Sequence, residues 1–334
     1  MFDFASPADL IATQALHRAA SLQSRHPPAL QQSDLWLEAT RLLGTLAARE
    51  DVAGTRAIIL RKRMPMVGEM ALISRADLAL DAARAANLRH DVGVRHLVVN
   101  AESPSDARAL AQAGFHKIFA PRVMADLALW PSPDRMAARL SPKWRNRLRH
   151  GQAQGLVIQR RPLPPDTRHW LFRAEAAQSL RLWYQPLPPE MIAAMAATRP
   201  GVAQLFTAYR LGSRVGAMLF LRHGTAATYQ IGWSSPEGRR LSAGPALMWR
   251  AMVELQAMGI TRIDLGAADP ANAPGLAHFK RGTGAELRTL GGSWLDTIWA
   301  RRMRRASRAR AVAELDAARH RNLPTMPTPQ WTTI

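Results

Sequence analysis

Cysteine is absent from all 334 residues. That excludes disulfide staples, thiol nucleophiles and thiolate metal sites, so apolar burial has to hold the fold together. Aromatic residues make up only 6%, with 3 tyrosines against 10 tryptophans, so phenols are few enough to consider one by one. Negative charge is scarce as well. The 25 aspartates and glutamates face 45 lysines and arginines, a net +20. Such a surplus favours polyanionic partners such as tRNA, phosphorylated cofactors or an anionic membrane face. The alternative is an ordinary surface solvated by arginine. No apolar run approaches the ~20 residues of a membrane-spanning helix. The opening Met1-Phe2-Asp3-Phe4 lacks the basic region and apolar core of a secretion signal. Histidine, aspartate and glutamate nowhere cluster at metal-ligand spacing, so no metal is expected. A cytoplasmic protein follows as the expectation.

What is present is globular patterning. At 47% hydrophobic, the chain fits one large or two smaller domains. In residues 203–294, three apolar runs (204–211, 215–222 and 225–233) are separated by Gly212-Ser213 and by His223-Gly224. Such runs with tight glycine-containing connections predict antiparallel hairpins. A polar loop over 234–244 carries Arg239 and Arg240. Pro245 then opens a helix with Leu247, Ala251, Leu255 and Met258 at helical spacing, closed by Gly259. Ile263 and Leu265 alternate with Arg262 and Asp264 as a strand does, and a loop with His278, Phe279, Lys280 and Gly284 follows.

The first half repeats this order. Strands at 56–61 and 67–74, a helix at 77–88, a strand at 94–100 and a short helix capped by Ser103-Pro104 end at Gly114. An internal duplication of one α/β unit results, far longer in period than a solenoid repeat. Ser33 is a candidate N-cap for a helix reaching 43, and residues 119–129 read as the last strand of the first unit. A long helix over 134–154 carries Lys143-Trp144-Arg145-Asn146-Arg147-Leu148-Arg149. Strand 156–160 and helices 166–180 and 190–198 lead back to the meander. Beyond it lie an arginine-rich helix at 299–321, suited to RNA or anionic membrane or to a solvated tail, and a proline-rich end. A helix is also read at 7–20.

Tyr229, the Asp264-Leu265-Gly266 strand end, the Phe279-Lys280 loop and the Trp144-Arg145-Asn146 helix resemble the signature of the FemAB-type branch of the GNAT superfamily. The match covers most of residues 30–294. It implies an α/β (α+β) chain of two tandem GNAT-like domains, each a mixed, mostly antiparallel sheet flanked by helices. The divisions would be 1–130, a basic linking helix at 131–155, a second domain at 156–296, and a tail at 297–334. The implied activity is N-acyl transfer: an acyl group moves from acyl-CoA, or from aminoacyl-tRNA, onto an amine acceptor. A basic module that binds nucleic acid or anionic membrane without catalysis is the rival.

The resemblance also implies where chemistry lies. Two parallel strands ending near Gly232 and Gly266 would part and leave backbone N–H groups for the acyl carbonyl. Lys280 would stand beside them, as an ammonium for developing negative charge or a phosphate, or else as a surface lysine. Asp264 would orient or deprotonate the amine, or pair with Arg262 facing solvent, with Asp269 as a substitute or merely a turn. Tyr229 would donate to the leaving group or sit at the core edge. Arg239, Arg240 and Gly244 precede a helix start able to take the donor's phosphates. Ala243 holds the first glycine slot of the family's pyrophosphate loop, however, and Pro245 removes an N–H. Arg145, with Asn146 and Arg149, together with Trp183, Tyr184 and Phe279, would line the substrate cleft. His278 is a possible base.

Overall fold

The computed structural model describes residues 27–182, 184–271 and 273–297. The predicted helices at 7–20 and 299–321, the tail, and Trp183 fall outside them.

In chain order the elements are α1 (Asp34–Leu42), β1 (Leu46–Val52), β2 (Thr55–Met64), β3 (Gly68–Ser74), α2 (Ala82–Val92), β4 (His96–Ala101), α3 (Pro104–Gln112), β5 (His116–Phe119) and β6 (Val123–Ala128). There follow α4 (Pro133–Arg139), α5 (Pro142–Gln152), β7 (Val157–Pro162), α6 (Trp170–Leu182), α7 (Pro189–Thr198), β8 (Ala203–Arg210), β9 (Ser213–His223) and β10 (Ala226–Ser234). The last are α8 (Pro236–Arg240), α9 (Ala243–Ala257), β11 (Arg262–Ala267), α10 (Pro274–Gly282), β12 (Glu286–Thr289) and β13 (Gly292–Thr297). Ser33 caps α1 by accepting from Trp36 N–H, as its position before an apolar-periodic run requires.

Two sheets form, in the orders β1-β2-β3-β4-β13-β5 and β12-β6-β11-β10-β9-β8-β7. Each has a single parallel pair, β3 with β4 and β10 with β11, and all other pairs are antiparallel. Tandem mixed sheets flanked by helices are thus the fold. The duplication carries an exchange that the linear order hid: β6 runs between β12 and β11 of the second sheet, and β13 runs between β4 and β5 of the first. The expected single strand over 119–129 is therefore corrected. Residues 116–119 stay in the first sheet as β5, while 123–128 cross to the second. Each half completes the other, so the domains share backbone hydrogen bonds rather than merely touching.

Two further corrections concern helices. The long helix predicted over 134–154 is broken at Leu140 into α4 and α5. Ser141 accepts from Trp144 N–H and Pro142 opens the new helix, a cap-plus-proline signal that ends one helix and starts another. Residues 278–282, expected as a loop, are the end of α10, where Pro274 lies in the first turn and Ala277 and Lys280 point inward. Helix α9 starts at Ala243, two residues before Pro245. Strand β1 was not foreseen, because its alternation is weak and mostly polar.

Three main cores fill the space. One side of the second sheet packs Phe206, Phe220, Tyr229 and Ile263 against α5, α9 and α10 through Trp144, Leu148, Leu247, Ala277 and Phe279. Its other side packs Leu219, Ile231 and Trp233 against α6, α7 and α1 through Phe172, Ile192 and Leu35. The first sheet has its own core around Ile59, Ile73, Leu88, Leu97 and Leu110.

Candidate active site

The site begins with a failure of pairing. Strands β10 and β11 are in register only at Ala226–Arg262, Ala227–Ile263 and Thr228–Asp264. β10 continues for six residues past Thr228 and β11 for three past Asp264, with no pairing between them. A β-bulge between Tyr229 and Ile231 turns β10 away. On the other side of β11 the register against β6 also breaks between Asp264 and Ala267. The result is a wedge through the sheet at Gly232 and Gly266. The duplicated pair in the first half, β3 and β4, stays laddered from Met70–His96 to Ser74–Asn100. Only the second half is open.

The β11 side of the wedge is fixed by an ion chain. Arg262 donates to Asp126 Oδ1 from Nε at 3.1 Å and from Nη2 at 2.5 Å, and Arg288 Nε donates to the other Asp126 oxygen. Arg288 Nη2 reaches Glu102 at 2.5 Å, Arg75 Nε reaches Glu102 at 2.9 Å, and Arg75 Nη1 reaches Asp264 Oδ2 at 2.7 Å. Three cations and three anions alternate, drawn from both halves of the chain. The second oxygen of Asp264 accepts from Gly266 N–H at 2.8 Å, at a residue whose φ of 76° suits glycine. Burial pushes the Asp264 carboxyl up, but the Arg75 guanidinium and the Gly266 N–H outweigh it and hold it below its ordinary value. Burial likewise disfavours charge on Arg75, and Asp264 and Glu102 more than reverse this. Asp264 is therefore an ionised strut. Its partner is Arg75, not Arg262, and it faces a buried junction rather than solvent.

Lys280 closes the wedge from α10. It is 4% exposed, and its Nζ donates to Ala267 O at 2.7 Å and lies 6.0 Å from the Tyr229 ring centre. Burial lowers its pKa to about 8, with Asp264 opposing. Helix α10 is held by the linking helix: a Cβ on Gly282 would come within 2.6 Å of Trp144 Cδ1, and Phe279 packs on Trp144 with ring centres 6.0 Å apart. Phe279 is thus a packing residue of this joint. Tyr229 stands on the same side, its hydroxyl 1.7 Å from where a Gly232 Cβ would be, and burial raises its pKa.

The other candidates separate. Tyr184 is on the opposite side of the sheet, where Gln178 Nε2 of α6 donates both to its hydroxyl at 3.2 Å and to Gly232 O at 2.9 Å. Arg145 donates to Leu140 O at 3.1 Å while its Nε is buried without a partner. Asn146 and Arg149 bond each other on the exposed side of α5. Arg239 donates to Ser234 O at 2.8 Å, Arg240 is exposed, and Gly244 is the second residue of α9. Asp269 accepts from Ala271 N–H at 2.9 Å in a turn, and His278 is exposed. Sequence reasoning missed two residues. Arg75 carries no motif. Glu175 lies on the inward, apolar side of α6 beside Leu171, Phe172 and Ser179, and a carboxylate at such spacing was the available signal. Among the described residues, no group of three or more His, Asp or Glu could hold a metal, and no helix is long and apolar enough to cross a membrane.

Residues 138–281, which contain the wedge, α5 and Lys280, match the family model of the acetyltransferase (GNAT) domain. That segment carries a GNAT-type acetyltransferase domain. Its whole fold is similar to that of a crystal structure of FemX, with TM-score 0.62 and 16% identity over 84% of this chain and 95% of that one. A conserved protein of unknown function from Bacteroides thetaiotaomicron aligns at TM-score 0.50 and 14% identity, over 79% and 90%. Among curated proteins, none matches the chain. The GNAT assignment fits the open second half, since acyl transfer in this superfamily is expected where two parallel strands part.

Proposed function

We propose that this GNAT protein forms amides, moving an acyl group from an acyl-CoA thioester onto a primary amine in the wedge between β10 and β11. The observation that carries the reading is the end of the parallel ladder at Thr228–Asp264 with Lys280 Nζ held beside the gap. The β11 side of β10 beyond Thr228 offers oriented backbone N–H groups to a developing oxyanion. Lys280 spends one N–H on Ala267 O and keeps two. Below a pKa of about 8 it is an ammonium, able to stabilise the oxyanion or protonate the departing thiolate. Tyr229 borders the same space. Asp264, with both oxygens engaged, positions the strand end rather than taking a proton.

The donor's phosphates are assigned to the start of α9, where Ala243 and Gly244 open the helix and Arg240 is exposed. The fit is partial: Pro245 supplies no N–H, and Arg239 is turned to Ser234 O. That shortfall favours aminoacyl-tRNA as the second reading, supported by the net charge of +20. Arg145 and Tyr184 are assigned to substrate contacts, the basic surface to tRNA or peripheral membrane contact, and the cytoplasm is the setting. The deciding experiment supplies [14C]acetyl-CoA and [14C]aminoacyl-tRNA in parallel with a panel of amines and follows label into amide. Transfer from one donor that is lost in Lys280→Ala, with folding intact, supports the reading. Transfer from neither donor by a folded protein refutes it.

A further inference from the structure

The wedge has a side on each face of the second sheet, and the two sides differ in chemistry. Lys280 and Tyr229 belong to the side covered by α5, α9 and α10. The opposite side is covered by α6 and α7, and there one acidic side chain is unaccounted for. Glu175 is 5% exposed. Among the described residues it makes no hydrogen bond and no ion pair, in contrast to Asp126, Asp264 and Glu102, each of which is held by arginine. A carboxyl buried without partners is costly, and stability alone gives no reason to keep one.

Its location supplies a reason. Helix α6 lies along β10, and one turn beyond Glu175 the side chain of Gln178 binds Gly232 O and the Tyr184 hydroxyl. Glu175 therefore sits over the stretch of β10 that has no β11 partner. The titratable groups that feel its charge are the two phenols at the opening, Tyr184 from the loop after α6 and Tyr229 from β10. Among the described residues no guanidinium or ammonium draws it down, and burial raises its pKa to about 7.

We propose that Glu175 is the general base of the reaction, taking a proton from the acceptor amine as it enters the wedge from the α6 side. This assignment rests on the acyl-transfer reading above. In the step, the ammonium R–NH3+ gives one proton to the Glu175 carboxylate. The freed lone pair forms the C–N bond to the thioester carbonyl, the C–S bond breaks, and the nitrogen's second proton goes to the thiolate. The products are amide, thiol and a carboxylic acid at Glu175, which returns its proton to water. Donor and acceptor thus approach from opposite sides of one sheet.

The test compares wild type with Glu175→Gln, using whichever donor the labelled assay selects and two probe acceptors. One is ethylamine, an ammonium at pH 7. The other is hydroxylamine, which is already neutral there and needs no base. The proposal expects a loss of about 10²–10⁴-fold in kcat/KM with ethylamine and less than about tenfold with hydroxylamine. It also expects the wild-type limb near pH 7 to vanish in the variant. Infrared titration of the unliganded protein should show a protonated-carboxyl band that titrates near pH 7 and is missing in Glu175→Gln. Equal losses with both amines, or an unchanged ethylamine rate, would overturn the base assignment while leaving acyl transfer standing. Absence of any transfer by the wild type would overturn acyl transfer itself, and the base role with it.

Discussion

Replacing Glu175 with glutamine should make the protein more stable above pH 7 and leave it unchanged near pH 4. Burial lifts the carboxyl from 4.5 to about 7. A carboxyl raised in the folded state is protonated there while its unfolded counterpart is already ionised, so the folded state holds more protons between those values. Unfolding free energy therefore falls as pH rises from 4.5 to about 7, then levels off. At ~1.36 kcal/mol per pH unit the interval amounts to about 3 kcal/mol. Residual contact of the carboxyl oxygens with water makes this an upper bound. Glutamine is neutral throughout and loses no hydrogen bond, so the variant lacks the decline. Urea unfolding of both proteins from pH 4 to 8.5, extrapolated to water, should give a stability difference near zero at pH 4 that grows with pH, to at most about 3 kcal/mol by pH 8. The paired carboxylates, such as Asp264, contribute slopes of the opposite sign, but they are common to both proteins and cancel in the difference. A flat difference, or a variant less stable at pH 8, would refute the argument that this side chain is buried at a cost. A variant that is more stable yet slower is what a functional group held against its own preference predicts.

Other outcomes follow from the same geometry. Lys280→Met should lower kcat by roughly 10²–10³-fold, the size of losing one oxyanion donor, with circular dichroism unchanged; a wild-type rate would move the oxyanion contact elsewhere. Arg75→Met leaves Asp264 buried with only the Gly266 N–H and should destabilise by about 3–5 kcal/mol. The double variant with Asp264→Asn should recover much of that, which thermal unfolding of the three proteins would show. Gly282→Ala forces a methyl against Trp144 and should cost about 1–3 kcal/mol, together with activity, because α10 carries Lys280. Gly232→Ala forces a methyl against the Tyr229 hydroxyl and ring and should slow turnover with the fold retained by circular dichroism; a wild-type rate would place Tyr229 away from the reaction.

Much of the chain could be read in one dimension because local rules act locally. The meander at 203–234, the Ser33 and Ser103-Pro104 caps and the repeated element order rest on turn chemistry, capping and period, which need only neighbours in sequence. The broken helix at Leu140 was legible in principle, since Ser141-Pro142 is a start signal, but the long polar periodicity masked it. Lys280 was found through a resemblance of motif, and its helix was misread as a loop because the turn around it is rich in glycine. What the sequence could not supply is anything set by residues far apart meeting. The exchange of β6 and β13 leaves no local trace, because either strand would pair equally well with its own half. Arg75 became part of the site only because a buried carboxylate 189 positions away needed a cation. Glu175 is one more acidic residue on a helix until folding buries it with no ion pair among the described residues. Pattern and propensity determined the elements, and a resemblance of motifs pointed to the family; solvation and long-range pairing, which exist only in the folded chain, decided where the charges are held.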